Sequence, residues 1–190
     1  MSQADRDKWD EKYANQAAAD APVPDDWLTQ HVASLAPGCA LEIACGLGHN
    51  AMWLAQHGWQ VDAVDVSTVG LNSAEKLAQR LGQHVNWIAA DLDDFTPAAA
   101  AYDLVVIFRY LDRVRLPELV QTALRPGGWL VYETYSQAQL ARPDSHIRNP
   151  AFTLSEGELP RLFANLEVVT YAEDELPNRS VARLVARNPG

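Results

Sequence analysis

The chain is 190 residues long, 48% apolar, and carries a formal net charge of −10. That length supports one sizeable core and is short for two, and the acidity speaks against a protein that holds polyanions by neutralising phosphates, so no nucleic-acid partner is expected. With only Cys39 and Cys45, no Cys-x-x-Cys pair, no histidine cluster and no long apolar run, no disulfide framework, metal site, secretory leader or membrane span is expected, and the reading is a cytoplasmic protein.

The first stretch, Asp5 to Ala19, is rich in Ala, Lys, Glu and Gln, and places Trp9 and Tyr13 four apart on one helical face. Pro22 and Pro24 end it. Asp25 or Asp26 is the expected cap of a second helix through Trp27, Leu28 and Val32 to Leu35, which Pro37 and Gly38 stop. From Ala40 onward, short apolar runs alternate with helical patterns. Strands are predicted over Leu41 to Ala44, Val61 to Val64, Val85 to Ala89, Leu104 to Phe108 and Trp129 to Tyr132, and helices over Asn50 to Gln56, Thr68 to Leu81 and Leu116 to Leu124. That alternation implies right-handed crossovers and a parallel sheet with helices on both faces. Ser136 to Thr153 is irregular, and a connection of that length is usually functional or mobile. Ser155-x-x-Glu158 has the form of a capping box ahead of Leu159, Leu162 and Phe163, and Glu167 to Tyr171 with Val181 to Ala186 reads as a hairpin.

In a parallel sheet of this kind ligands bind beyond the carboxyl ends of the strands, and that is where the acids fall. Glu42 closes the first strand ahead of the turn Ala44-Cys45-Gly46-Leu47-Gly48, Asp65 closes the second, and Asp91 follows the third. A carboxylate accepting two ribose hydroxyls makes charge-assisted bonds of about 1.5 to 3 kcal/mol each, which suits Asp65. Asp91 suits an adenine amino group, with Val66 and Leu92 on the two faces of the base. A dinucleotide reading competes, since Gly46-x-Gly48-x-x-Ala51 satisfies the loose phosphate-binding fingerprint. Two points oppose it. A pyrophosphate on a helix N-terminus does not call for an acid in the first strand, whereas an amino-bearing ligand would explain the cost of Glu42 in an apolar run. A dehydrogenase also needs a second nucleotide half or a substrate domain, for which little chain remains.

These residues resemble the class I S-adenosylmethionine-dependent methyltransferase family. Glu42 to Gly48 is similar to its first motif, Val64-Asp65-Val66-Ser67 to the second, Ala90-Asp91-Leu92 to the adenine-side motif, Tyr102 to Val106 to the fourth strand, and Leu124-Arg125-Pro126-Gly127-Gly128-Trp129-Leu130 to the turn entering the fifth. The resemblance implies a single-domain α/β Rossmann-like fold: a seven-stranded, mostly parallel sheet with its last strand antiparallel and helices on both faces. It also implies S-adenosylmethionine as cofactor and a small-molecule methyl acceptor. Lys8-Trp9-Asp10-Glu11-Lys12-Tyr13, the turn through Asn50-Ala51, and Tyr132-Glu133-Thr134 are similar to the tellurite-resistance methyltransferase group. From this group comes the expectation that residues 1–38 form a helical lid on a core of residues 39–190, with Trp9 and Tyr13 near the sulfonium. The alternative for that aromatic pair is plain packing.

The cofactor-contacting set implied by the resemblance is Trp9, Tyr13, Glu42, Ala44, Cys45, Gly46, Gly48, Asn50, Asp65, Val66, Asp91, Leu92 and Phe108. Cys45 reads as a small turn residue, not a nucleophile. Arg109, Tyr110 and Tyr135, after the fourth and fifth strands, are the candidates facing the transferred methyl, with an ion pair to Asp112 as the bland alternative for Arg109. An oxyanion or carboxylate acceptor would fall to Arg109, Arg142 and Arg148, and His146 is the weaker candidate base, while Arg113 and Arg115 read as solvated surface. A nucleotide-dependent oxidoreductase and a non-catalytic S-adenosylmethionine-binding module are the competing functions.

Overall fold

The computed structural model describes residues 3–16 and 20–190. Two compact units divide the chain, residues 1–98 and 99–190. The first contains α1 (Gln3–Ala14), α2 (Asp26–Val32), β1 (Cys39–Ile43), α3 (His49–Gln56), β2 (Gln60–Asp65), α4 (Thr68–Arg80) and β3 (Asn86–Ala89). Leu41, Ile43, Ala63 and Val64 are fully buried. Consecutive apolar residues of this kind mark parallel strands covered on both faces. On α4, Leu71, Ala74, Leu77 and Ala78 recur at three- and four-residue spacing and are buried, and the Ser67 hydroxyl caps the helix by accepting from the Gly70 amide at 3.0 Å. The parallel registers pair Glu42 with Ala63 and Asp65 with Ala89, so both acids stand at the carboxyl ends of their strands. α1 ends at Ala14, short of the expected Ala19; positions Ala17 to Ala19 lie outside the described residues. α2 stops at Val32, three residues before Leu35.

The second unit contains β4 (Tyr102–Phe108), α5 (Arg115–Ala123), β5 (Leu124–Tyr135), α6 (Glu158–Leu162), β6 (Glu167–Glu175) and β7 (Ser180–Arg187). β4 and β5 are parallel, whereas β7 runs antiparallel to both β5 and β6, which makes the expected C-terminal hairpin. All seven strands belong to one sheet, ordered β3-β2-β1 in the first unit and β4-β5-β7-β6 in the second. The seven-stranded, mostly parallel architecture with an antiparallel last strand is therefore as expected. The irregular stretch folds into two short 3-10 turns, Gln137–Ala141 and Pro150–Phe152. The Ser155 capping box is only half made. Glu158 reaches back to the Ser155 amide at 2.8 Å, but the helix begins at Glu158 itself, after Gly157 at φ +63°. Among the described residues no helix is long and apolar enough to cross a membrane.

Candidate functional site

The turn after β1 is built from left-handed backbone. Ala44, Gly46 and Gly48 have φ of +56°, +55° and +67°. Glycine takes this conformation freely, while Ala44 holds it at a cost of about 1 kcal/mol or more, so the surroundings must fix the turn. One fixing group is Asp65: its Oδ2 accepts from the Gly46 amide and its Oδ1 from the Ser67 amide, each at 2.8 Å. The residue expected only to clamp a ribose thus also fastens the glycine turn of β1 to the turn after β2. Burial raises the Asp65 pKa, the amides of Ser67, Gly46 and Val66 oppose that rise, and the nearby Asp10 charge adds to it. A carboxylate has about four acceptor positions, so these bonds leave capacity for ligand hydroxyls.

Glu42 is 3% exposed, and its Oε1 accepts from Asn50 Nδ2 at 3.2 Å. The same amide nitrogen donates to Asp25 Oδ2 at 3.2 Å, and Asn50 Oδ1 accepts from the Asp25 amide at 2.8 Å. Asp25 occupies the N-cap position of α2 but makes no capping bond with its side chain. Its carboxylate goes to Asn50 instead, an arrangement that needs two segments 25 residues apart and leaves no local trace in sequence. Burial first, and then the charges of Glu42 and Asp65, push the Cys45 thiol well above its ordinary pKa. This thiol is therefore held in the neutral form.

α1 lies against this turn. A Cβ placed on Gly46 would meet Tyr13 Oη at 2.5 Å, and one on Gly70 would meet Tyr13 Cδ2 at 2.9 Å, so the Tyr13 ring fills a slot walled by two glycines. Gly70 belongs to no motif singled out in the sequence. Asp10 Oδ1 accepts from Ser67 Oγ at 2.5 Å and from the Val69 amide at 3.2 Å, which anchors the helix to the start of α4. Trp9 stacks on Tyr13 with centroids 5.7 Å apart, and Lys12 Nζ stands 4.2 Å from the Trp9 centroid. After β3, the Asp91 carboxylate accepts from the Asp93 amide at 2.9 Å, while Val66 and Leu92 are buried. Among the described residues no cluster of His, Cys, Asp or Glu could hold a metal ion.

In the second unit, Phe108 ends β4 buried, and Arg109 follows at φ +56° with its amide donating to the Glu133 carbonyl at 2.8 Å and its guanidinium 5.7 Å from the Phe108 centroid. Asp112 accepts from the amides of Val114 and Arg115 at 2.8 Å, the turn entering α5. Tyr110 takes part through its carbonyl, which accepts from the Tyr132 hydroxyl at 2.7 Å. Tyr135 meets His146 edge-on at 5.8 Å, so the structure brings these two candidates together. Arg142 donates to the carbonyls of Leu176 and Pro177 and pairs with Asp144 at 3.0 Å, and this binds the irregular stretch to the β6–β7 turn. Arg148 is exposed. Arg113, expected to be a solvated residue, donates to the carbonyls of Ala151 and Thr153 and pairs with Glu158.

Glu133, noted in the sequence only as part of Tyr132-Glu133-Thr134, is fully buried, and Arg179, just ahead of β7, and Arg183 of β7 reach it at 2.9 and 2.8 Å. The signal was present in the pairing of two arginines with a glutamate in an apolar strand, and it becomes readable only once β5 and β7 are known to be neighbours.

Residues 40–128, which carry the glycine turn and all three strand-end acids, match the methyltransferase domain family. By this match residues 40–128 form a methyltransferase domain. It is 33% identical over 156 residues to Hemagglutinin 1 of Eikenella corrodens, covering 77% of this chain and 49% of that protein. It is 36% identical over 106 residues to ribosomal RNA small subunit methyltransferase C of Alcanivorax borkumensis, covering 50% of this chain and 32% of that one. The chain thus spans half or less of the length of these relatives. Its fold is similar to that of TehB from Haemophilus influenzae, with TM-score 0.70 and 21% identity over 96% of this chain and 66% of TehB.

Proposed function

We propose that the protein binds S-adenosylmethionine on its first unit and transfers the methyl group to a small-molecule acceptor in a cytoplasmic setting. The observation that carries this reading is the pair of buried acids at adjacent strand ends, with Asp65 bonded to the glycine turn through Gly46. When bound, the cofactor supplies a methyl group already activated on sulfonium. Glu42 holds the cofactor's amino group, Asp65 its ribose hydroxyls and Asp91 the adenine amino group, between Val66 and Leu92. The positive φ of Gly46 and Gly48 gives the backbone its turn beside the ligand. Trp9 and Tyr13, on a lid formed by residues 1–38 over a core of residues 39–190, offer aromatic faces to the sulfonium, an attraction of about 0.5 to 2 kcal/mol. Ala44, Cys45 and Asn50 complete the lining on this unit.

Arg109, Tyr110 and Tyr135 orient the acceptor at the ends of β4 and β5. Orientation is the main demand on them, since aligning nucleophile, carbon and sulfur is worth about 7 to 11 kcal/mol. The net charge of −10 supports a small acceptor over RNA. Calorimetric titration with S-adenosylmethionine and with a nicotinamide dinucleotide tests the cofactor, and absence of heat with the first sinks the proposal. Transfer of labelled methyl to tellurite, selenite, thiols, small carboxylates or ribosomal RNA, with the product identified by mass, tests the acceptor. Methylation of RNA alone would overturn the small-molecule reading, and binding without turnover on any acceptor would leave a cofactor-binding module.

A further inference from the structure

Asn50 and His49 open α3, and both reach the segment that precedes α2. The His49 Nδ1 accepts from the Val23 amide at 3.3 Å, and Asn50 holds Asp25 through two bonds. The orientation of the Asn50 amide follows from its partners: an N–H faces Oδ1, and two carboxylates face Nδ2. Both N–H groups of Nδ2 are thereby engaged, one on Asp25 and one on Glu42, and the residue is 3% exposed. An amide so placed has no donor left for a ligand, but it sets where the Glu42 carboxylate points and separates two acids that would otherwise repel.

We propose that Asn50 and Asp25 are positioning residues for cofactor binding: Asn50 aims Glu42 at the cofactor's amino group, and Asp25 aims Asn50. This assignment rests on the proposed role of Glu42. It also gives residues 20–25 a share in cofactor affinity although they lie outside the matched family region of residues 40–128.

The test is calorimetric titration of S-adenosylmethionine into the wild type, N50A, N50D and D25A, from mildly acidic to mildly alkaline pH, with a melting curve on each. N50A is expected to weaken binding by about tenfold or more, because the donor that orients the buried Glu42 carboxylate is removed. D25A should weaken it by less. N50D places a third carboxyl between Asp25 and Glu42, with His49, Cys45 and Asp65 as the other titratable groups around it. Only its protonated form can donate, so its affinity should recover as pH falls, relative to a wild type that carries all the other groups. A folded N50A with wild-type affinity, or an N50D profile parallel to the wild type, overturns the proposal. Should N50A fail to melt cooperatively, the N50D profile and the D25A affinity decide. No heat with the wild type overturns the cofactor reading as well, whereas wild-type binding with unchanged variants overturns this inference alone.

Discussion

In the first unit the buried acids are met by neutral donors. Asp65 is held by the amides of Gly46 and Ser67, and Glu42 by the side-chain amide of Asn50. In the second unit the buried acid Glu133 is met by two guanidinium groups, and Arg113 and Arg142 are bound to backbone carbonyls as well as to acids. Dipoles orient a carboxylate and leave its charge in place, which fits the proposed binding of a cationic, hydroxyl-bearing ligand on the first unit. Full cations cancel the charge, so the ionic groups of the second unit act as ties. Arg142, expected to meet an acceptor, ties the irregular stretch to the β6–β7 turn.

The sharpest way to break this contrast is to remove Glu133. Glu133→Ala leaves Arg179 and Arg183 without their shared buried partner and should lower stability by about 3 to 5 kcal/mol in urea unfolding. A loss below about 1 kcal/mol would show that the pair of cations is not held by that charge. The counterpart in the first unit is Asp65→Ala, for which S-adenosylmethionine affinity should drop by about a hundredfold through loss of two charge-assisted bonds. Unchanged affinity in calorimetry would remove Asp65 from the ribose.

Acid should reproduce that loss reversibly. The Asp65 pKa is raised in the folded protein, so its proton returns at a pH above the ordinary aspartate value. The protonated carboxyl is a poorer acceptor of hydroxyls, and affinity should weaken as pH falls through that point, with no such weakening toward alkaline pH. The same raised value means that Asp65 favours the folded state fully only below its unfolded pKa, an advantage lost as pH rises through the folded one. Arg109→Gly comes next. Glycine adopts φ +56° without strain, so thermal stability should hold or rise while turnover drops by about tenfold. Full turnover would leave Arg109 a tie like its neighbours. The smallest effect is expected from Cys45→Ala, which should keep both affinity and turnover, as a neutral buried thiol does no chemistry.

What the sequence showed and what it hid divides along the same line. Strand-end acids and a glycine turn are local patterns, so the strand-end places of Glu42 and Asp65 and the turn at Gly46 were legible from spacing, and the seven-stranded sheet came with the resemblance to the methyltransferase family. The roles of Asn50 with Asp25, of Gly70 against Tyr13 and of Arg113 on the irregular stretch depend on contacts between segments far apart in the chain. Such residues look like helix caps, spacers and surface charges until the chain is folded. The second unit was harder to read because its arginines carry no positional pattern, and only their partners distinguish a tie from a ligand contact.

The buried Glu133 has a bearing on how the last hairpin finds its place. Glu133 stands opposite Arg183 in the register of β5 with β7, and the residues two positions away on the same face of β7 are Val181 and Val185. A slip of β7 by two residues would set valine against a carboxylate with no exposure to water, and a slip by one would turn Arg183 to the other face. Either error carries the cost of an uncompensated interior charge. The ion pair is thus a checking device for strand alignment.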